Sequence, residues 1–222
     1  MRRKLKNIKR EIRGLFQQEK WKNTLGLIEQ VEKFGQGLGL KIHTIKGWCF
    51  FKQAESIKEP IPRRTQLLMD AIKIFKLSAV WAKNETEEKI SAYRGIILSE
   101  FLLGERSSVW KKAYWLVKRY PKEYSAWEVM TDLCKLDGNH EVAVEVFQEM
   151  YEIAILGNDY ERASQAKFAK GEELITLRQM EKGYRELLKA IDIYLRYQRQ
   201  KDKFLKETEF MRKRAEEIRK QL

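Results

Sequence analysis

Two histidines, His43 and His140, and two cysteines, Cys49 and Cys134, are the whole stock of imidazole and thiol in 222 residues. Neither pair has metal-ligand spacing, so a zinc or similar centre is not expected. The cysteines lie far apart, outside any C-x-x-C arrangement and in apolar helical contexts. They read as small buried hydrophobes in a reducing cytosol rather than as a disulfide. No Asp-x-Ser or Cys partner stands near His43, and His140 follows a turn at a helix start, so no nucleophile arrangement forms. Proline occurs 3 times and glycine 12 times, which leaves few breakers in the chain. The run Gly35-Gln-Gly-Leu-Gly39 lacks a preceding strand and the spacing of a phosphate loop, and reads as a helix–helix linker. Long apolar runs are missing too. Trp48-Cys-Phe-Phe51 falls far short of the ~20 residues a membrane helix needs. The basic start Met1-Arg-Arg-Lys-Leu-Lys6 has no apolar stretch after it and does not read as a secretory signal. The expectation is a cytoplasmic protein with no membrane span, no cofactor and no metal.

What is abundant points to helix. The chain is 43% hydrophobic and 35% charged, and its aromatic content of 11% is enough to repay the entropy of ordering. Its net charge of +13 is unevenly placed. Residues 1–64 carry 16 Lys/Arg against 6 Asp/Glu, whereas residues 121–160 carry 2 against 9. A basic amino-terminal quarter thus sits in one chain with an acidic block, and fields of this kind steer partners without specifying a fold.

Apolar spacing predicts helices almost everywhere. Ile8, Ile12 and Leu15 share one face of a first helix, and Trp21, Leu25, Ile28 and Val31 share one of a second. A third is expected from Leu40 to Ser56. Lys58-Glu-Pro-Ile-Pro62 reads as a rigid connector, and a fourth helix from Leu67 to Trp81 carries Ala71, Phe75 and Ala79. Asn84 reads as a cap. Further helices are expected at about 86–103, 106–120, 123–137, 139–156, 159–178, 180–198 and 200–221, which makes eleven and no strand. On the last, Phe204, Met211, Ala215, Ile218 and Leu222 share a face and predict a terminal capping helix.

The stretch from Trp127 is the most specific. It reads Trp127-x2-Met130-Thr131-x2-Cys134, then Gly138, then Ala143-x3-Phe147, and it resembles one tetratricopeptide (TPR) unit. Small or medium residues recur in pairs along the chain: Ile12 with Thr24, Gly47 with Ala71, Gly95 with Val109, Thr131 with Ala143, and Gly171 with Gly183. Short side chains allow the two helices of a pair to cross closely. The resemblance implies an all-α, TPR-like right-handed superhelix of about five antiparallel helix pairs plus a carboxy-terminal capping helix, in one domain over residues 1–222.

The resemblance also implies a partner-binding groove lined by the first helix of each pair. Its residues would be Lys41, Thr44, Trp48, Phe51 and Lys52; then Ile96, with Lys89, Ala92, Ser99 and Glu100; then Glu128 and Asp132, with Ser125 and Lys135; then Phe168 and Glu172, with Gln165 and Ile175. Chaperone-binding TPR domains place Lys and Asn at such positions to clamp a peptide carboxylate. Here Glu128 and Asp132 stand there, so that clamp is not expected. The expected function is a non-enzymatic scaffold that binds a protein or peptide, with self-association between basic and acidic regions as one form. The alternative is a helical-repeat RNA- or DNA-binding protein contacting phosphates through Arg2, Arg3, Lys4, Lys6, Lys9, Arg10 and Arg13. Trp48 and Phe51 are open between core residues and exposed anchors.

Overall fold

The structure, a computed structural model, describes residues 2–33, 39–57, 61–83, 85–201 and 206–221; the side chains of residues 2–4, 33, 197–201 and 206–208 lie outside that description. Gly35, Gly37, Pro60, Asn84, Phe204 and Leu222, each given a role above, are also outside the described residues.

Among the described residues there are eleven α-helices and no strand. They are α1 (Arg2–Gln17), α2 (Trp21–Lys33), α3 (Leu40–Ser56), α4 (Ile61–Trp81), α5 (Thr86–Leu102), α6 (Arg106–Arg119), α7 (Tyr124–Asp137), α8 (His140–Leu156), α9 (Tyr160–Thr176), α10 (Met180–Lys201) and α11 (Lys206–Arg219). The helix α4 begins six residues earlier than the sequence predicts. Pro62 falls in its first turn, where backbone N–H groups have no intrahelical acceptor, so a proline there removes nothing. Other ends follow their local chemistry. Gly138 closes α7 in the left-handed conformation at φ 69°. Asn139 and Asp159 cap α8 and α9 by accepting from the backbone N–H groups of Val142 and Arg162, at 3.2 and 3.1 Å.

The chain condenses into two compact units, Met1–Leu116 and Val117–Leu222. In the first unit Ile12, Ile28, Val31 and Ile42 form one apolar cluster. Phe51, Leu68, Ala71, Phe75, Ala92 and Ile96 anchor a second. The fully buried Phe75 ring is the pivot of that second cluster. A Cβ built on Gly47 of α3 would lie 2.7 Å from the ring, and one built on Gly95 of α5 only 2.2 Å. Both glycines therefore make room for one aromatic from α4. The helices α3 and α4 run antiparallel, since His43 meets Trp81 while Trp48 meets Phe75. The helix α3 also packs against α1 and α5, so odd-numbered helices touch one another as well as their even-numbered neighbours.

The second unit repeats this pattern. Met130, Thr131, Cys134, Ala143 and Phe147 of the stretch that begins at Trp127 are buried, while Trp127 is half-buried and Gly138 exposed. Trp127 donates its indole N–H to the Pro121 carbonyl at 2.9 Å. The expected close crossing of α9 and α10 is present: a Cβ on Gly183 would stand 2.8 Å from the Gly171 carbonyl oxygen. Side chains also bridge odd-numbered helices. Arg162 of α9 stacks over the Tyr124 ring of α7 at 4.8 Å, and Phe210 and Arg214 of α11 reach Phe168 and Glu172 of α9. Met211, Ala215 and Ile218 of α11 are buried in one cluster with Leu187 and Ile191 of α10.

Candidate functional site

Most residues expected to line a groove are engaged in contacts between helices. Thr44, Phe51 and Ile96 are buried in the first unit and present no surface of their own. Their burial does not fit an open groove: Phe51 and Ile96 pack in the cluster around Phe75, and the Thr44 hydroxyl donates to the Leu40 carbonyl of its own helix. Trp48 is half-buried, edge-on to Phe51 and Phe75, and its indole N–H donates to Ser91 Oγ at 3.2 Å. It therefore ties α3 to α5 rather than standing free as an anchor. Lys41 is exposed, 3.6 Å from Glu88, and Lys52 pairs with Glu55 at 2.6 Å.

In the second unit Glu172 is held by both forks of the Arg214 guanidinium, at 2.9 and 3.0 Å, and Phe168 lies 5.8 Å from Phe210. The terminal helix thus covers these two positions, which the first-helix pattern could not anticipate. Glu128 and Asp132 are half-buried on α7. The Tyr124 hydroxyl beside them is pushed up to about 12 by burial, with the Glu128 carboxylate adding to the effect. On α1, Lys6, Arg10 and Arg13 are exposed and Lys9 is half-buried, while the side chains of Arg2, Arg3 and Lys4 lie outside the described residues.

A concave site lies elsewhere, on the face made by α8, α9 and α10. It is a cleft of about 630 Å³ lined by Glu141 and Glu145 of α8, Lys170 and Leu174 of α9, and Lys182, Arg185, Glu186 and Lys189 of α10, among others. Its floor is a charged network. Lys167 is almost fully buried, with its ammonium 4.1 Å from the centre of the Tyr151 ring. That ammonium stands 2.8 Å from Glu186 Oε2, close enough for a strong ion pair though off the line of a well-aligned hydrogen bond. Lys189 takes the other oxygen, Oε1, at 2.7 Å. Lys167 and Lys170 both donate to one amide oxygen, Gln148 Oε1, at 3.0 and 2.8 Å. Burial acts to raise the Glu186 pKa, but the Lys167 and Lys189 ammoniums outweigh it and hold the carboxyl below its ordinary value. Lys170 is lowered, first by burial and then by Lys167 and Lys189, against the opposing pull of Glu186. The sequence carries a trace of this site in Lys182, Arg185 and Lys189, which recur on one face of α10, but the α8 and α9 contributions depend on tertiary packing.

The remaining candidates for chemistry are committed to packing. His43 sits edge-on to Trp81 at 4.8 Å and its pKa is lowered by burial. Burial pushes the thiols of Cys49 and Cys134 up to about 12. His140 Nδ1 lies 2.6 Å from Glu173 Oε2. Among the described residues no group of three or more His, Cys, Asp or Glu side chains is arranged to hold a metal ion, and no helix is long and apolar enough to cross a membrane. Among the described residues the chain is all-helical, with neighbouring helices packed together within each of two units. Comparison of the chain with protein-family models and with curated proteins yields no match.

Proposed function

We propose that this chain is a non-enzymatic, TPR-like helical-repeat scaffold that binds a protein or peptide partner in the cytoplasm. The observation that carries the reading is the stacking in two directions. Within each unit neighbouring helices pack on one another, as α3 does on α4 and α9 on α10, and contacts also join odd-numbered helices, as between α3 and α5 and between Arg162 of α9 and Tyr124 of α7. Packing of this kind extends surface rather than enclosing a reaction site. The high thiol pKa values and the packed His43 support a non-catalytic reading.

The surface offered to a partner follows from exposure. On α8 the row Glu141, Glu145, Glu149 and Glu152 faces solvent and ends at Leu156, which is 84% exposed. On α4 the outward side carries Met69, Lys73, Lys76, Leu77 and Val80, all exposed. The α8 row selects a basic segment, and the α4 face an acidic and apolar one; a second copy of the chain offers both. The test is recovery of partners from native lysate by immobilised protein. Wild type should recover a discrete set, and the Glu145→Lys/Glu149→Lys variant should lose members of it. Unchanged recovery would count against the α8 face. Light scattering decides the self-association form: a mass of 26.6 kDa at low salt, that of one chain, removes it.

A second reading, nucleic-acid binding, rests on α1. Lys6, Arg10 and Arg13 are exposed, while Leu5, Ile8 and Ile12 pack inward. On that reading, affinity for single-stranded RNA falls by roughly tenfold or more between ~50 and ~200 mM salt, as release of counterions from a few phosphates requires. A filter-binding titration measures it, and no binding at the lower salt removes the reading.

A further inference from the structure

We propose that the cleft between α8, α9 and α10 binds a phosphate dianion, held chiefly by the ammonium groups of Lys170 and Lys189. This inference stands on the cleft itself and does not depend on the scaffold reading. The floor of the cleft carries more positive charge than its own acceptors satisfy. Three ammoniums, those of Lys167, Lys170 and Lys189, converge on one carboxylate and one amide oxygen. Glu186 gives one oxygen to Lys167 and one to Lys189. Gln148 Oε1 is shared by Lys167 and Lys170, and this neutral acceptor cannot balance either charge.

The arrangement sorts the three cations by role. Lys167 is enclosed under Tyr151 and does not line the cleft, so it supplies field rather than contact. Lys170 and Lys189 line the cleft and reach its space. Lys182, bonded to the neutral Gln179, adds charge from the same α10 face, where Arg185 is paired with Glu181. The Lys170 pKa is lowered first by burial and then by the neighbouring Lys167 and Lys189, and an anion beside it would oppose both effects.

The acids on the α8 side set where the anion can sit. Glu141 and Glu145 line that wall, and Glu152 is tied in through Gln148, which donates to it at 2.8 Å. An anion is therefore repelled from α8 toward the α9–α10 floor. Three ammoniums around the one Glu186 carboxylate leave an excess of positive charge there, which suits a dianion better than a single carboxylate, and lysine serves as a point-charge binder of phosphate. A volume of about 630 Å³ accommodates a phosphate together with the group that carries it. That carrier is either a free phosphorylated small molecule or a phosphoserine on a peptide.

The experiment is an NMR titration of the full chain with inorganic phosphate at fixed ionic strength, following backbone amides. Saturable shifts are expected at residues 167–170 and 182–189. Lys170→Gln and Lys189→Gln should each weaken binding by about tenfold, the scale of one lost charge-assisted contact. Glu145→Gln, which removes repulsion, should tighten it, and Lys220→Gln at the exposed turn after α11 should leave it unchanged. If Lys170→Gln fails to fold by circular dichroism, the more exposed Lys189→Gln decides the question. A phosphoserine peptide separates the sources. Binding well above that of inorganic phosphate identifies a phosphopeptide, and equal binding identifies the free anion. No saturable response, shifts scattered over surface lysines, or wild-type affinity in both lysine variants would overturn the proposal.

Discussion

Replacing Gly95 by alanine should destabilise the first unit by about 3 kcal/mol or more, the upper range for overfilling a packed core. The added methyl would lie 2.2 Å from Phe75 Cε2, far inside van der Waals contact. A clash at the end of a flexible side chain is relieved by rotation, but this ring has nowhere to go. Its opposite edge meets Gly47, where a Cβ would stand 2.7 Å away, and the Trp48 indole closes on it edge-to-face at 5.1 Å. Relief must come from moving α5 away from α4, which opens the cluster around Ala71, Ala92 and Ile96. Urea unfolding followed by tryptophan fluorescence measures the loss, because Trp48 packs directly on the ring. Two controls fix the cause. Gly26→Ala, on α2 with no neighbour within 4 Å, should instead gain about 0.5–1 kcal/mol from reduced backbone freedom. Adding Phe75→Leu to Gly95→Ala should recover part of the loss, whereas an undiminished deficit would show that the clash is not with the ring.

This pivot shows how far the sequence can be read. The spacing of Ala71, Phe75 and Ala79 places Phe75 on the buried side of α4, and the pairing of Gly47 with that stretch anticipates the α3–α4 crossing. The sequence pattern pairs Gly95 with Val109 on the next helix, yet the contact that explains it runs backward to Phe75. Helix periodicity reports which side of a helix is buried but not which neighbour buries it. The same limit explains the groove residues. Thr44, Phe51 and Ile96 share a helical stripe with the buried face, and a pattern carried over from a repeat family does not fix the rotation of each helix. Phe168 and Glu172 look free until α11 lies across them, which no local spacing encodes. Gly171 and Gly183, by contrast, were legible because a backbone crossing requires glycine on both sides, a demand written directly into residue type.

Glu186→Gln should cost the second unit about 3 kcal/mol near neutral pH, the scale for removing one partner of a buried ion pair. The reason is asymmetry between its two lysines. The Lys189 side chain is 59% exposed and returns its charge to water when the carboxylate is lost. The Lys167 side chain is 7% exposed, fixed under Tyr151, and would keep its ammonium against a neutral amide. Lys189→Gln should therefore cost less than about 1 kcal/mol, as an exposed pair does. The pH dependence follows from the direction of the Glu186 shift. Its folded-state pKa lies below the ordinary 4.5, so the carboxylate's contribution is fully present above that value and is lost as pH falls through the folded-state value. Wild type and Glu186→Gln should thus differ most at neutral pH and converge in acid. Calorimetric unfolding of both proteins from pH 7 down to about pH 3 measures the convergence, and a constant gap would mean that the carboxylate acts through packing rather than charge. Exchanging both partners, as Lys167→Met with Glu186→Leu, should restore most of the stability at neutral pH, because the cost of the single change lies in the stranded ammonium and not in the missing bond.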